Sequence, residues 1–307
     1  LSRGKKIILG IVAVLVVLVI AVVGFGAKVY FDVKGSMNET YESVKREDSA
    51  RDTAVDLSKQ EAFSVLLLGI DTGDLGRTEQ GRSDTMMVAT VNPQDKQTTL
   101  VSIARDTYVP IIGHENNAED KINHAYAFGG AAMSMATVEN YLDIPIDHYV
   151  AINMKGLKEL VDAVGGVTVT NELAFSIDDY TFSEGKITLD GDEALAYSRM
   201  RKEDPNGDYG RQERQREIVI GVVNKLVSMA GITKYQEVLE AMEANVKTDM
   251  SFGDMQTIAL NYREAFTTVK TDQMQGEGFM LNGISYQDVS DDELKRVQDL
   301  LDDELGL

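Results

Sequence analysis

The chain has 307 residues, enough for one large domain or two small ones, with 43% hydrophobic residues and a formal charge of −20. Removing the three cations Arg3, Lys5 and Lys6, which precede a long apolar run, leaves −23 for everything after it, a balance that disfavours nucleic acid as a partner. The absence of cysteine excludes thiol nucleophiles, thiolate zinc sites and disulfides, and the three histidines (His114, His124, His148) form no HExxH arrangement.

In chain order, Ile7 to Ala27 is an uncharged run of 21 residues. At about 1.5 Å per residue it spans about 31 Å, close to the roughly 30 Å hydrocarbon core of a bilayer. The apolar region of a cleaved signal peptide is shorter, about 7–15 residues. The run therefore reads as a retained transmembrane helix. Arg3, Lys5 and Lys6 precede it and only Lys28 follows closely, so residues 1–6 are expected in the cytoplasm and residues 28–307 outside the cell membrane. Residues 28–60 are polar and mixed in charge, and read as a juxtamembrane stalk with low core content.

Residues 61–307 carry no break in composition and read as one domain. Ser64 to Ile70 (SVLLLGI) is a short apolar run ended by Asp71-Thr72-Gly73, the pattern of a buried strand. Thr85–Val91 and Thr98–Ile103 are further strands, and the Asn92-Pro93-Gln94-Asp95 connection predicts that they pair antiparallel. Helical patterns follow at 131–141 and 154–164, the second stopped by Gly165-Gly166. Val167-Thr168-Val169 is strand-like. Helices are predicted at 193–198, 211–229, 235–244, 252–266 and 291–301, with a strand at 278–281. Interleaved strands and helices imply an α/β fold with a mixed central sheet covered by helices on both faces, preceded by the one transmembrane helix.

Asp71 closes the first strand and Asp84 opens the next, two residues after Arg82. Carboxyl ends of strands are where ligands usually sit in open α/β sheets. Two carboxylates there can share a hard cation such as Mg²⁺, although strand-end aspartates more often serve as turn formers. Arg105 follows the third strand; alone it reads as a surface ion pair with Asp106 or another acid. Ala196 to Gln215 says more. Arg199 and Arg201 would project on the same side of an extended segment. After the Pro205-Asn206-Gly207-Asp208 turn, Arg211, Arg214 and Gln215 share one face of a new helix, and that face continues into Ile218, Val219 and Val222. A solvated charged face is the competing reading. A guanidinium-rich helix start leading onto an apolar face instead suits an anionic head with a greasy tail. Convergence of Arg82, Arg105, Arg199, Arg201, Arg211 and Arg214 would cost self-repulsion unless an anion is bound.

The motifs LLLGIDTG, GRSDTMMVATVNP, SIARDTYVPI, KINHAYAFGG, DHYVAINMKGLKELVDAVGGV, LDGDEALAYSRMR and GDYGRQERQ, in this order, resemble the LytR-CpsA-Psr (LCP) family of cell-wall phosphotransferases. The similarity covers roughly residues 61–232 strongly and the NGISYQD stretch more weakly. It implies an LCP-like fold and transfer of a glycopolymer (teichoic acid, capsule or a related polysaccharide) from a polyprenyl pyrophosphate carrier to the 6-hydroxyl of N-acetylmuramic acid in peptidoglycan. The resemblance further implies that Asp71 and Asp84 are associated with Mg²⁺ and the pyrophosphate. Arg82, Arg105, Arg199, Arg201 and Arg211 match the arginines around the phosphates, and Gln215 matches the polar partner at the helix start. Ala104 departs from the proline often found before the Arg-Asp pair, without removing a functional group.

On this reading Arg105, Asp84, Arg199 and Arg201 carry catalysis; Arg82, Arg211, Arg214 and Gln215 hold the pyrophosphate; and Ile218 and Val222 wall an apolar tunnel for the polyprenyl chain. Asp84 and His124 are competing candidates for the base. A polyprenyl-pyrophosphate phosphohydrolase, a non-catalytic envelope regulator or transcriptional attenuator, and a carbohydrate- or lipid-binding module are the alternatives.

Overall fold

The computed structural model describes residues 28–45, 50–51, 53–71, 80–228 and 235–307. Alternation with a period of two organises its centre. Phe63–Ile70 (β1) sends Leu66 and Leu68 into one core and Phe63 and Val65 into another, because successive side chains of a strand point to opposite faces. Ser83–Asn92 (β2) divides Met86 and Val88 from Met87, Ala89 and Val91 in the same way. Gln97–Ile103 (β3) divides Val101 and Ile103 from Leu100.

Tyr108–Pro110 (β4) and Glu119–Lys121 (β5) pair as a short antiparallel ribbon. It delivers the chain to His124–Leu142, which is α2, residues 28–40 being α1. There follow His148–Asn153 (β6), Met154–Ala163 (α3), Val167–Asn171 (β7), Phe175–Ile177 (β8), Tyr180–Phe182 (β9), Gly185–Leu189 (β10), Gly191–Arg199 (α4), Asp208–Ser228 (α5) and Tyr235–Asn245 (α6). Val246–Thr248 (β11), Phe252–Asn261 (α7), Val269–Gln273 (β12), Glu277–Leu281 (β13), Ile284–Asp288 (β14) and Asp291–Leu305 (α8) complete the described chain.

Six strands form the main sheet in the order β11-β6-β1-β2-β3-β12. β1 runs parallel to β6 and β3 parallel to β12, while the other neighbours are antiparallel. The sheet is mixed, as expected, and β2 pairs with β3 across the predicted turn. One face is covered by Met135, Val138 and Leu142 of α2 with Val297 and Leu301 of α8. The other meets Tyr262, Ala265 and, from α5, Val219 and Ile220. Tyr262 is fully buried and its hydroxyl donates to the Glu61 carbonyl at 2.8 Å, so its apolar body is packed and its polar tip satisfied.

A second core lies among α3, α4, α5, α6 and the β7–β10 ribbons, built on Val161, Val167, Tyr197, Ile218, Val222 and Val238. The start of α4 is set locally. Asp190 accepts from Glu193 N at 2.9 Å while the Glu193 side chain accepts from Asp190 N at 3.0 Å, a reciprocal cap that satisfies orphan amides. Gly191 is required there, because a Cβ would stand 2.3 Å from the Lys158 carbonyl oxygen. α5 serves both cores, with Ile218 and Val222 on one side and Val219 and Ile220 on the other.

The structure differs from the sequence reading at several places. α2 begins at His124 rather than near 131, because non-helical backbone at Gly129 and Gly130 (φ +65°) bends the segment without ending it. The helix expected over 252–266 ends at Asn261 and tightens into a 3₁₀ turn, Arg263–Phe266. β6 has no counterpart among the predicted elements, nor have the short strands β4, β5, β8, β9, β10, β11, β12 and β14. Residues 28–60, expected to be a stalk, bury Met37, Thr40 and Leu57, and Arg51 pairs with the buried Asp147 at 2.6 Å. The expected membrane helix at 7–27 lies outside the described residues; among those described, no helix is long and apolar enough to cross a membrane.

The loop between α4 and α5 is fastened by one buried ion pair. Arg214 Nη1 donates to Asp204 Oδ2 at 2.7 Å and Nη2 to the Met200 carbonyl at 2.6 Å, with both charged side chains about 5% exposed. Its guanidinium also lies over the Phe175 and Tyr197 rings. Replacing Arg214 by Ala leaves Asp204 buried and unpaired, a loss of about 3–5 kcal/mol. Urea unfolding of Arg214→Ala should show a loss of that size; unchanged stability would remove this pair as the fastener of the loop.

Candidate functional site

The site begins at the sheet end where β2 enters and β3 leaves. β1 pairs with β2 as Gly69↔Thr85 and then Ile70↔Ser83, so Asp84 is the extra residue of a β-bulge. A bulge bends the strand and re-aims its side chain. β3 ends at Ile103, and the following turn is held by Thr107 Oγ1 donating to the Ala104 carbonyl at 2.6 Å. Asp84 and Arg105 are thereby brought together, Arg105 Nη1 lying 3.0 Å from Asp84 Oδ2. Asn123 Nδ2, just before α2, donates to Asp84 Oδ1 at 3.2 Å.

The second side comes from the α4–α5 connection. Asp208, the first residue of α5, lies 2.8 Å from Arg211 Nη2 and 3.7 Å from Arg201 Nη1. The two sides act on each other. Burial works to lower the Arg105 pKa, but the carboxylates of Asp84, Asp106 and Asp208 overcome it and raise the value. Arg211 moves the other way. Its burial is the main cause of a lowered pKa, opposed by Asp208 and reinforced by the charges of Arg105 and Arg201. Arg105, Arg201, Arg211, Asp84 and Asp208 therefore share one field.

Several buried polar atoms in this group make no hydrogen bond within the protein: Arg105 Nε, Arg211 Nε, Asn123 Oδ1, Gln215 Oε1 and Asp208 Oδ1. Asp208 Oδ1 is close to Arg211 but not aligned as an acceptor. Nearly all buried polar groups in proteins find partners. The two unpaired donors, Arg105 Nε and Arg211 Nε, are free to bind an anion with several oxygens, and the unpaired oxygens of Asn123, Gln215 and Asp208 are free to accept from its hydroxyls or from water.

The predicted residues fall into distinct settings. Asp71 accepts from Arg82 N at 2.7 Å, and Asp71 N donates back to the Arg82 carbonyl at 3.1 Å. Arg82 is exposed, its Nη1 3.5 Å from His124 Nε2. Arg199 is exposed as the last residue of α4 and has no ion pair among the described residues. Gln215 donates weakly to the Ser198 carbonyl at 3.4 Å.

Arg214, on the same helix face as Arg211, is engaged by Asp204 and Met200 and is not available to a phosphate. Ile218 (1% exposed) and Val222 (7%) are packed within the second core. To wall a lipid tunnel they would need that core to part from α5. Asp208, Asn123 and Lys121 also stand at the site and were not singled out from the sequence, and Asp106 was named only as an ion-pair partner for Arg105, from which it lies 3.8 Å. Lys121 Nζ donates to Asp106 Oδ1 at 2.8 Å. Only the motifs containing them, GDYGR, KINH and ARDTY, carried a signal.

Among the described residues no group of three or more His, Cys, Asp or Glu is placed to cage a metal. Were Mg²⁺ bound, Asp84 in the bulge and Asp71 at the neighbouring strand end are the carboxylates that would hold it, since this ion is commonly held by one or two carboxylates together with substrate phosphates and water.

Comparison with known proteins agrees with this architecture. The model of the LytR_cpsA_psr family matches residues 28–303. A polyisoprenyl-teichoic acid–peptidoglycan teichoic acid transferase TagU of Enterococcus faecalis is 62% identical over 306 residues, covering 100% of this chain and 99% of the relative. A crystal structure from Enterococcus faecalis described as a transcriptional regulator superposes with a TM-score of 0.73 at 49% identity, over 83% of this chain and 91% of that one. A structure of TagT bound to LIIa-WTA gives a TM-score of 0.72 at 32% identity, over 87% of this chain and 100% of the other. With the family matched across nearly its whole length and the fold shared at substantial identity, this chain belongs to the LytR_cpsA_psr family.

Proposed function

We propose that this chain is a phosphotransferase that takes a glycopolymer of the teichoic-acid class from a polyprenyl pyrophosphate carrier and joins it to the 6-hydroxyl of N-acetylmuramic acid in peptidoglycan. The observation that carries the reading is the meeting of the buried Arg211, the partly buried Arg105 and the exposed Arg201 with Asp84 and Asp208, with unpaired polar atoms among them. The TagU name of the relative supports the same substrates.

The reaction breaks the bond between the sugar-side phosphorus and the lipid phosphate, so negative charge builds on phosphate oxygens. Preorganised guanidinium groups stabilise that charge at little reorganisation cost. Arg211 and Arg201 reach the site from α5 and its preceding loop, and Arg105 reaches it from the turn after β3. Their forks can each take two phosphate oxygens. The ligand also relieves the repulsion among the three arginines, so binding is favoured on both counts. Asp84 and Asp71 would hold Mg²⁺, which when bound supplies charge neutralisation to the transferring phosphate. An anchor at residues 7–27 would keep the domain on the outer side of the cell membrane, beside a lipid-linked donor; the 21-residue apolar run and the cations before it support that placement.

Arg105→Ala and Arg211→Ala should each reduce transfer by about 10²–10³-fold, the usual loss when one charge-stabilising donor is removed. Initial rates with a polyprenyl-pyrophosphate-linked polymer and peptidoglycan fragments measure it, and near-wild-type rates in both variants would sink the cluster as the pyrophosphate clamp. Chelation with EDTA should abolish turnover and added Mg²⁺ restore it; turnover indifferent to both would rule out the metal. Products should depend on the acceptor: polymer attached to glycan when peptidoglycan is present. Release of free polymer phosphate at the same rate with or without it would make the chain a phosphohydrolase instead. A reporter fused after Leu307 should be active only outside the cytoplasm, and activity inside would reverse the topology.

A further inference from the structure

The arginine cluster explains how phosphate charge is met, but not which group takes the proton of the attacking hydroxyl. Asp84 has both oxygens engaged, one by Arg105 and one by Asn123, and Asp208 is held between Arg211 and Arg201 as their counter-charge. A different arrangement lies at the edge of the same site. His124, the first residue of α2, places Nδ1 2.7 Å from Asp120 Oδ2 and Nε2 3.5 Å from Arg82 Nη1.

The two neighbours select one tautomer. A carboxylate takes the N–H, so Nδ1 carries the proton. A guanidinium can only donate, so Nε2 presents its lone pair. Asp120 is itself held in place: its Oδ1 accepts from Lys121 N at 2.8 Å and lies 3.5 Å from the Tyr286 hydroxyl. Although burial works to raise its pKa, hydrogen bonds from His124 and Lys121 N outweigh that effect and lower it, keeping the carboxylate charged. Edge contact with Phe128, centroids 5.8 Å apart, fixes the ring further. Asp120 and Arg82 face the imidazole directly. Lys121 and Tyr286 stand behind Asp120, and Asp84 lies beyond Asn123.

We infer that His124 Nε2 is the general base for the acceptor hydroxyl and that Asp120 is its positioning residue, an inference that rests on the transfer reading. Arg82 is exposed, so it can turn from the imidazole to a phosphate oxygen when the donor binds, which uncovers the lone pair. The acceptor O–H bond then breaks and its proton passes to Nε2. The oxygen's electron pair forms the new bond to the sugar-side phosphorus. The bond from that phosphorus to the bridging oxygen breaks, and its electron pair leaves on the polyprenyl phosphate. The imidazolium, stabilised by Asp120, returns its proton to the departing phosphate or to water. A base positioned in this way contributes about 10²–10⁴-fold.

The test uses the full chain in detergent, a synthetic polyprenyl-pyrophosphate-linked disaccharide as donor and a soluble muramic-acid-containing glycan as acceptor. His124→Gln should lose about 10²–10⁴ in transfer rate while binding the donor with unchanged Kd. The acid-side fall of the wild-type rate–pH profile should disappear with it. His124→Ala should recover part of its rate in added imidazole, which a purely structural histidine would not do. Asp120→Asn should lower the rate while the profile keeps its acid limb. His124→Gln transferring within threefold of wild type with the limb intact would overturn the assignment and leave the transfer reading standing. A wild-type chain that binds the donor but transfers nothing would overturn both.

Discussion

Two arginines largely withdrawn from water, Arg105 and Arg211, sharing one field with the exposed Arg201, are the constraint around which this molecule is arranged. At an effective dielectric of about 20, two unit charges about 4 Å apart interact by about 4 kcal/mol, so a guanidinium cluster without counter-charge would push itself apart. Asp84 and Asp208 prevent that, each from a position the backbone fixes. Asp84 is the extra residue of a bulge, and Asp208 stands at the first turn of α5, where a carboxylate also complements the helix dipole. The compensation is incomplete by design of the chain. Arg211 retains a lowered pKa from burial, and the polar atoms around it lack partners. A bound pyrophosphate, as proposed above, would supply the missing negative charge and engage the unpaired Arg105 and Arg211 Nε donors.

α5 is the element through which that constraint reaches the rest of the fold. Its 21 residues, about 31 Å of helix, carry Arg211 at the site and Ile218 and Val222 in the second core. Val219 and Ile220 face the sheet. Arg216, also buried, donates to Ser102 of β3 at 2.8 Å and lies 3.5 Å from Gln273 of β12. Tyr209 binds the Gly276 carbonyl and receives the Gln287 amide, so the β13–β14 hairpin is tied to the same helix start. Gln287 N in turn donates to the Asp106 carbonyl at 2.9 Å. The pieces that bring charge to the site are thus hydrogen-bonded to one another behind it.

What was readable in advance follows from how local each feature is. β1, β2 and β3 are apolar runs long enough to declare themselves, and Asn92-Pro93 at their turn announces an antiparallel pair. α3 and α8 show a continuous helical period closed by recognisable ends. β6 did not declare itself: His148, Asn153 and the small Ala151 dilute its apolar character, and it becomes a strand by lying parallel to β1. β11 and β12 are short segments with Lys247 and Lys270 in them, recruited by neighbours far away in the chain. Tertiary pairing overrides weak local preference in all three.

By itself the sequence determined the central alternating strands, the helix that follows the Pro-Asn-Gly-Asp turn, and the arginines and aspartates at strand ends and helix starts. The resemblance to one family came from the same motifs. Only the tertiary structure decided which of those charges share a site. Arg211 and Arg214 lie three residues apart on one helix face, yet one meets Asp208 at the cluster and the other is consumed by Asp204. Asp120 and His124 acquire their meaning only when Arg82, 42 residues earlier, arrives beside them. Helical and strand periods are set by the backbone within a few residues, whereas charge pairing depends on where distant loops fold back, and no period in the sequence encodes that.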